Sequence, residues 1–118
     1  MCHAIGDAVL KAFSQLCRDN IRKEDLLARL GGEEFAILLP NAPSQQAKSL
    51  ANRICLACRQ MKIIIPDTNE EVDITVSIGV TQWHNEAFEA MDDMLAVADQ
   101  ALYRAKNDGR DRVCFQSP

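Results

Sequence analysis

An α+β domain with an antiparallel-rich sheet and helices packed on it is the fold class this sequence predicts. Three observations carry that expectation. Apolar residues recur at helical spacing in three separate stretches. The apolar runs Leu26-Leu27-Ala28 and Phe35-Ala36-Ile37-Leu38-Leu39 flank a Gly31-Gly32 pair, which suits a hairpin because glycines reach φ > 0 without steric cost. Val72, Ile74, Val76, Ile78 and Val80 alternate with Asp73, Thr75, Ser77 and Gly79, the period of a half-buried strand. Mixed elements of this kind pack as a sheet covered by helices.

In chain order, Ala4 to about Asp19 reads as an amphipathic helix, with Val9, Leu10, Phe13, Leu16 and Cys17 as its buried stripe. Arg22 to Asp25 is a polar connector into the hairpin, and Pro40 and Pro43 punctuate its exit. Ser44 is the expected N-cap of a helix through about Gln60, which buries Ala47, Leu50, Ala51, Ile54, Cys55 and Cys58. Met61 to Ile65 is a short β-branched run stopped by Pro66, and a polar turn leads to a strand over Val72 to Thr81. Trp83 to Glu89 reads as a loop. Ala90 to Asn107 is the third helix, with Gly109 as its stop, and Arg112 to Phe115 suits a final edge strand. The order is α-β-β-α-β-β-α-β, and neither repeats nor low-complexity segments interrupt it.

At 118 residues the chain is one small domain, 1–118, able to bury a single core. Hydrophobic residues at 47% and charged ones at 25% are ordinary for a globular protein. A net charge of -4 argues against nucleic-acid binding, which wants a basic surface, while leaving room for a small anion held by a local arginine cluster. No apolar run approaches the roughly 18 residues of a membrane span, and no signal peptide is visible. Five cysteines without a regular framework suggest reduced thiols and a cytoplasmic address. Cys55-Leu56-Ala57-Cys58 has the spacing of a zinc or redox half-site, but it falls mid-helix with no second pair and reads as core packing.

The functional signal is Arg29-Leu30-Gly31-Gly32-Glu33-Glu34-Phe35. Adjacent carboxylates repel, and either a divalent cation or plain solvation of the turn would relieve that. Gly31 to Phe35 resembles the signature of the GGDEF family, the diguanylate cyclases, in its GGEEF spelling. Gly6-Asp7, Arg22 to Asp25, Ile74 to Val80 and Ala98 to Arg110 match further family blocks in the same order. The resemblance implies a ferredoxin-like, nucleotidyl-cyclase-like core. It covers the C-terminal two-thirds of that domain; the family's first strand and helix precede the match, which opens at Cys2-His3-Ala4-Ile5-Gly6-Asp7.

Condensing two GTP into cyclic di-GMP needs a 3′-hydroxyl to attack an α-phosphate in line, with pyrophosphate leaving. Positioning and charge neutralisation do most of that work. The resemblance implies Glu33 as metal ligand and Glu34 as accessory ligand for Mg²⁺ (or Mn²⁺), with Gly31 and Gly32 making room for the nucleotide. It implies Asp7 as acceptor for the guanine N1–H and N2–H, and Lys106 with Arg110 as phosphate contacts, on one face if the helix continues that far. Asp99 takes a structural hydrogen-bonding role. Arg22-x-x-Asp25 with Arg53 matches the family's inhibitory, product-binding site, where an arginine fork suits phosphate or a guanine Hoogsteen edge. Taken singly, Asp7 reads as a surface charge, Lys106 and Arg110 as cations at a helix C-terminus, and Arg22-x-x-Asp25 as a solvated pair.

Where the pattern departs, Cys2 stands for a family Gly, Asp111 for a usual Asn, and the first-strand Asp, Lys and Asn have no counterpart among these residues. The expectation is therefore a diguanylate cyclase acting as a homodimer on GTP, with the 118 residues alone slow in catalysis and prone to associate through exposed strand edges. The competing readings are an inactive receptor for cyclic di-GMP or GTP, and a purely structural dimerisation domain.

Overall fold

Helix α1, Cys2–Asn20, opens the computed structural model, which describes residues 2–83 and 90–118. The expected loop from Trp83 to Glu89 lies outside the described residues beyond Trp83 itself. Phe13, Leu16 and Cys17 form the inward stripe of α1, as their spacing predicts. The helix runs one residue past the expected end because the Asn20 side-chain amide donates to the Leu16 carbonyl at 2.7 Å and closes the last turn.

The connector that follows is a folded turn. The Asp25 N–H donates to the Arg22 carbonyl at 3.1 Å, and the Arg22 N–H donates to Asp25 Oδ2 at 2.8 Å. The Arg22 guanidinium reaches both Asp25 oxygens, at 3.4 and 3.2 Å. Asp25 has only 2% of its side chain exposed, so its charge is held by this arginine in a shielded place.

Strands β1, Leu26–Gly31, and β2, Glu34–Leu38, form the expected antiparallel hairpin. Leu27 pairs with Ile37 and both turn to the core; Leu26 pairs with Leu38 on the outer side, where Leu26 and Leu30 are more than half exposed. The register slips between Arg29 and Gly31, so the turn is Gly32-Glu33 rather than the glycine pair itself. Both glycines are in the left-handed half of φ, at 147° for Gly31 and 51° for Gly32, conformations costly for a residue with a Cβ.

Helix α2 is Ser44–Gln60, and its N-cap is Pro43 rather than Ser44. Pro43 is extended, and its carbonyl takes the Gln46 and Ala47 N–H groups at 3.0 and 3.2 Å, which leaves Ser44 as the first helical residue. Leu50, Ala51, Ile54, Cys55 and Cys58 are its buried stripe. Leu50 and Ile54 meet Cys17 of α1 in a core cluster that also takes Leu27, Ile37 and Leu39 from the hairpin region and Val76 and Ile78 from further on.

The expected strand over Val72 to Thr81 is split. β3, Ile63–Ile64, pairs antiparallel with β4, Glu71–Val72, whereas β5, Ile78–Val80, pairs parallel with β6, Val113–Phe115. Inward and outward residues still alternate from Val72 to Val76, but past Val72 no described strand bonds to that segment. Side-chain alternation reports burial, and a ladder also needs a partner. Met61 to Ile65 shortens for the same reason, and Arg112 falls outside the final strand. Helix α3, Met91–Asn107, makes the crossover that a parallel pair requires. The described strands and three helices make the expected α+β class with mostly antiparallel pairing, its strands falling into three two-stranded ladders, two antiparallel and one parallel, rather than one continuous sheet.

β5 lies directly on α3. A Cβ built on Gly79 would overlap the Ala98 carbonyl oxygen and the Leu102 amide nitrogen, both backbone atoms that cannot swing aside. Gly79→Ala is expected to cost about 2 kcal/mol or more in urea unfolding, and a loss within about 0.5 kcal/mol would show that α3 does not press on β5.

At Asp25, burial raises the carboxyl pKa, but the Arg22 hydrogen bonds and charge outweigh it and hold the group below its ordinary 3.8. With the folded value depressed, the pair stabilises the fold above the ordinary pKa and loses that contribution as pH falls through the folded one. Carboxyl NMR of Arg22→Ala is expected to show the Asp25 titration moving up, since the guanidinium hydrogen bonds and charge are lost while burial and the backbone N–H bond remain. An unmoved titration would mean that the arginine does not set it.

Candidate functional site

The hairpin puts Glu33 in the turn and Glu34 at the first position of β2, directly across from Gly31. Both are exposed, and neither forms an ion pair among the described residues. The clash of like charges is met by solvation of the tip. Behind it, Arg29 donates from Nε and Nη2 to the Gly32 carbonyl, at 3.0 and 2.8 Å. Phe35 turns the other way, its ring 5.3 Å from that of Phe13, and so ties the base of the tip to α1.

Between α1 and the hairpin lies a concavity of about 480 Å³ whose lining includes Asp7, Leu10, Lys11, Arg18, Arg29 and Phe35. Asp7 is exposed on α1, one of the positions expected to meet a ligand. Glu33 and Glu34 lie just beyond this lining, at the tip whose flanking residues Arg29 and Phe35 belong to it.

Arg22, Asp25 and Arg53, which the family resemblance groups, lie close to one another. They line a smaller cavity of about 100 Å³ with Asn20, Gln46 and Leu50. Arg53 donates to Asn20 twice, from Nε to the side-chain oxygen at 3.2 Å and from Nη2 to the carbonyl at 3.1 Å. Arg22 also reaches the Pro40 carbonyl at 3.4 Å. Both arginines are therefore positioned by the protein before any ligand arrives.

Lys106 and Arg110 are not on one helix face. Helix α3 ends at Asn107; Gly109 (φ 126°), Arg110 (φ 61°) and Asp111 (φ 47°) all leave it in left-handed conformations. The Arg110 N–H reaches back to the Ala105 carbonyl at 2.9 Å and closes the helix end. Both cations are exposed at this end, and neither lines the concavity that holds Asp7. Asp99 is exposed and forms no hydrogen bond among the described residues, in place of the structural bond expected of it.

Asp111 has a reason to be acidic. Arg59 of α2 donates from Nε to both of its carboxylate oxygens at 2.8 Å and from Nη2 to its carbonyl at 3.1 Å. The hydrogen bond and the negative charge raise the Arg59 pKa. No local pattern marks this pair, whose members are fifty-two positions apart.

The Cys55-x-x-Cys58 spacing resolves as core. Cys17, Cys55 and Cys58 are each at most 3% exposed. Burial, with a neighbouring thiol adding to it, pushes Cys17 and Cys58 up to about 11, far from a reactive thiolate. Among the described residues, no group of three or more His, Cys, Asp or Glu side chains is arranged to hold a metal ion. Nor is any described helix long and apolar enough to cross a membrane.

Arg29 and Asn20 are the site residues that spacing alone did not single out. Arg29 opens the signature stretch, yet its bond to Gly32 depends on the slipped register, and Asn20 carries no sequence signal for its role as the Arg53 acceptor.

The family model described as diguanylate cyclase, GGDEF domain, matches residues 1–112. Diguanylate cyclase DgcM of Escherichia coli is 45% identical over 112 residues, covering 94% of this chain and 25% of that protein. Among solved structures, the GGDEF domain of YfiN (TpbB) from Pseudomonas aeruginosa superimposes with a TM-score of 0.86 at 34% identity, over 97% of this chain and 65% of that one. The GGDEF domain of DgcB from Caulobacter crescentus, solved in complex with c-di-GMP, gives a TM-score of 0.88 at 29% identity, over 96% and 66%. The chain spans about a quarter of the length of its DgcM relative. A turn that offers two carboxylates, a helix acidic at Asp7 and an Arg22-x-x-Asp25 clamp beside Arg53 are thus features of a chain that belongs to the GGDEF diguanylate cyclase family.

Proposed function

We propose that this chain takes part in joining two GTP molecules into cyclic di-GMP, as one half of a homodimer in which each protomer presents one nucleotide. The observation that carries this reading is the tip: Glu33 and Glu34 are exposed, adjacent and without an ion pair among the described residues, on a turn whose glycines have open space around them. The exposed carboxylates of Glu33 and Glu34 would hold a Mg²⁺ or Mn²⁺, hard cations that suit oxygen donors. Such an ion, held by Glu33 and Glu34, supplies neutralisation of the phosphate charge.

The chain's own residues then divide the remaining work. Asp7 accepts the paired N–H donors of the guanine edge, an acidic group being the acceptor-only side chain that suits them. Lys106 and Arg110 meet the phosphates as exposed cations. Each 3′-hydroxyl attacks the α-phosphate of the opposite nucleotide, so that two phosphodiester bonds form, two pyrophosphates leave and two hydroxyl protons are lost to solvent.

Arg22, Asp25 and Arg53 support a second function, binding of the product for inhibition. Their shared cavity, already ordered by Asn20 and Pro40, is the observation in its favour, and the c-di-GMP complex of the DgcB neighbour is consistent with it. A receptor without catalysis would use this second site alone.

With Mg²⁺ and GTP, Glu33→Gln is expected to lower cyclic di-GMP formation at least about 100-fold, the scale on which loss of electrostatic stabilisation reduces turnover. Product formed equally fast by this variant would exclude the tip. Calorimetry with cyclic di-GMP is expected to show binding to the unaltered chain, weakened about tenfold or more in Arg53→Ala. Binding that survives this substitution would place the product elsewhere, and binding without any turnover would favour the receptor.

A further inference from the structure

Arg29 lies three residues before the carbonyl it holds, and it holds that carbonyl with two donors. Glu33 and Glu34 follow within five positions in sequence, close enough along the chain for a flexible cation to swing onto them. Yet no ion pair joins Arg29 to either carboxylate among the described residues. The planar fork is instead spent on the Gly32 carbonyl, at the point where the β1–β2 register slips and the backbone enters the left-handed region.

That choice has two consequences. A turn with Gly31 at φ 147° and Gly32 at φ 51° is conformationally permissive, because glycine has many alternatives; the fork selects one of them. A guanidinium committed to a carbonyl is also withheld from neutralising the carboxylates, so their charge stays available to a cation. An arginine allowed to pair with Glu33 would compete with that cation directly.

We propose that Arg29 is a positioning residue of the tip: by clamping the Gly32 carbonyl it fixes the turn and keeps Glu33 and Glu34 unpaired for a divalent cation. The cation half of this inference rests on the cyclase reading above; the clamp itself does not. Lysine retains the charge at this position but lacks the fork, so Arg29→Lys separates geometry from electrostatics.

The test compares the unaltered chain, R29K and R29A by amide relaxation NMR and by manganese titration in the presence of GTP, followed by electron paramagnetic resonance. In R29K the amide order parameters of Glu33 and Glu34 are expected to fall from about 0.85 to below about 0.6. Manganese affinity is expected to drop about tenfold or more, as for other groups that orient metal ligands. The melting temperature should stay put because Arg29 is exposed. Added guanidinium ion should restore part of the manganese affinity in R29A, which a general folding defect would not allow. Unchanged order parameters in R29K overturn the clamp whatever the nucleotide does, and unchanged manganese affinity beside loosened amides overturns its link to the cation. Failure of the unaltered chain to take up manganese with GTP overturns the cyclase reading and the cation half with it, and the order parameters then judge the clamp alone.

Discussion

The apolar stripe of α2 is the constraint on which the rest of the molecule depends. Leu50 and Ile54 meet Cys17 from α1, and around that contact gather Leu27 and Ile37 from the hairpin and Val76 and Ile78 from the segment entering β5. Each of these elements is too short or too narrow to bury apolar surface by itself. What they share is this one helix face, and burying it removes from water side chains worth roughly 1.5–3 kcal/mol apiece. The Arg59–Asp111 pair and the Lys48 ammonium, 4.0 Å above the Phe115 ring, then attach the C-terminal loop and β6 to the same helix from its polar side.

Two regions of chemistry follow from how α1 and the hairpin lie against each other. The tip side of the hairpin, with Arg29 and Phe35, faces the concavity that contains Asp7, and the base of the hairpin, with Arg22 and Asp25, meets Asn20 and Arg53. The two regions treat their charges in opposite ways. Around Arg22 and Asp25 the arginines are hydrogen-bonded within the protein, Arg22 to the Asp25 carboxylate and Arg53 to Asn20, which holds them in place. At the tip the carboxylates pair with no cation among the described residues, and the Arg29 guanidinium is committed to a carbonyl. A matched cluster suits recognition of a ligand that arrives with its own donors and acceptors, whereas an unmatched pair suits a cation.

Much of this was legible in the residues. Helices α1, α2 and α3 follow from three-and-four spacing, since one buried stripe is enough to specify an amphipathic helix. The hairpin and its exposed glutamates follow from Gly31-Gly32 between apolar runs. What spacing could not convey was pairing. Val72 to Val80 alternates faithfully, yet only Val72 and Ile78 to Val80 belong to strands, because Ile74 and Val76 turn inward with no described strand beside them to complete a ladder. Arg110 stands four places from Lys106 and looks like its helical neighbour, but Gly109 ends the helix between them. Ser44 is the better capping residue by type, and the extended Pro43 carbonyl takes the position regardless. These are outcomes of tertiary context overriding local preference.

Among the described residues, the hairpin that carries the tip shares no backbone hydrogen-bond ladder with the other strands, and rings and aliphatic side chains such as Phe35, Leu27 and Ile37 fasten it to the helices. A unit attached in this manner can detach whole, keeping its internal ladder, while the α2 core stays closed. Sub-global opening of this kind costs less than full unfolding. A partner that gripped both hairpin and helix would bear on these side-chain contacts and, through them, on the presentation of the tip.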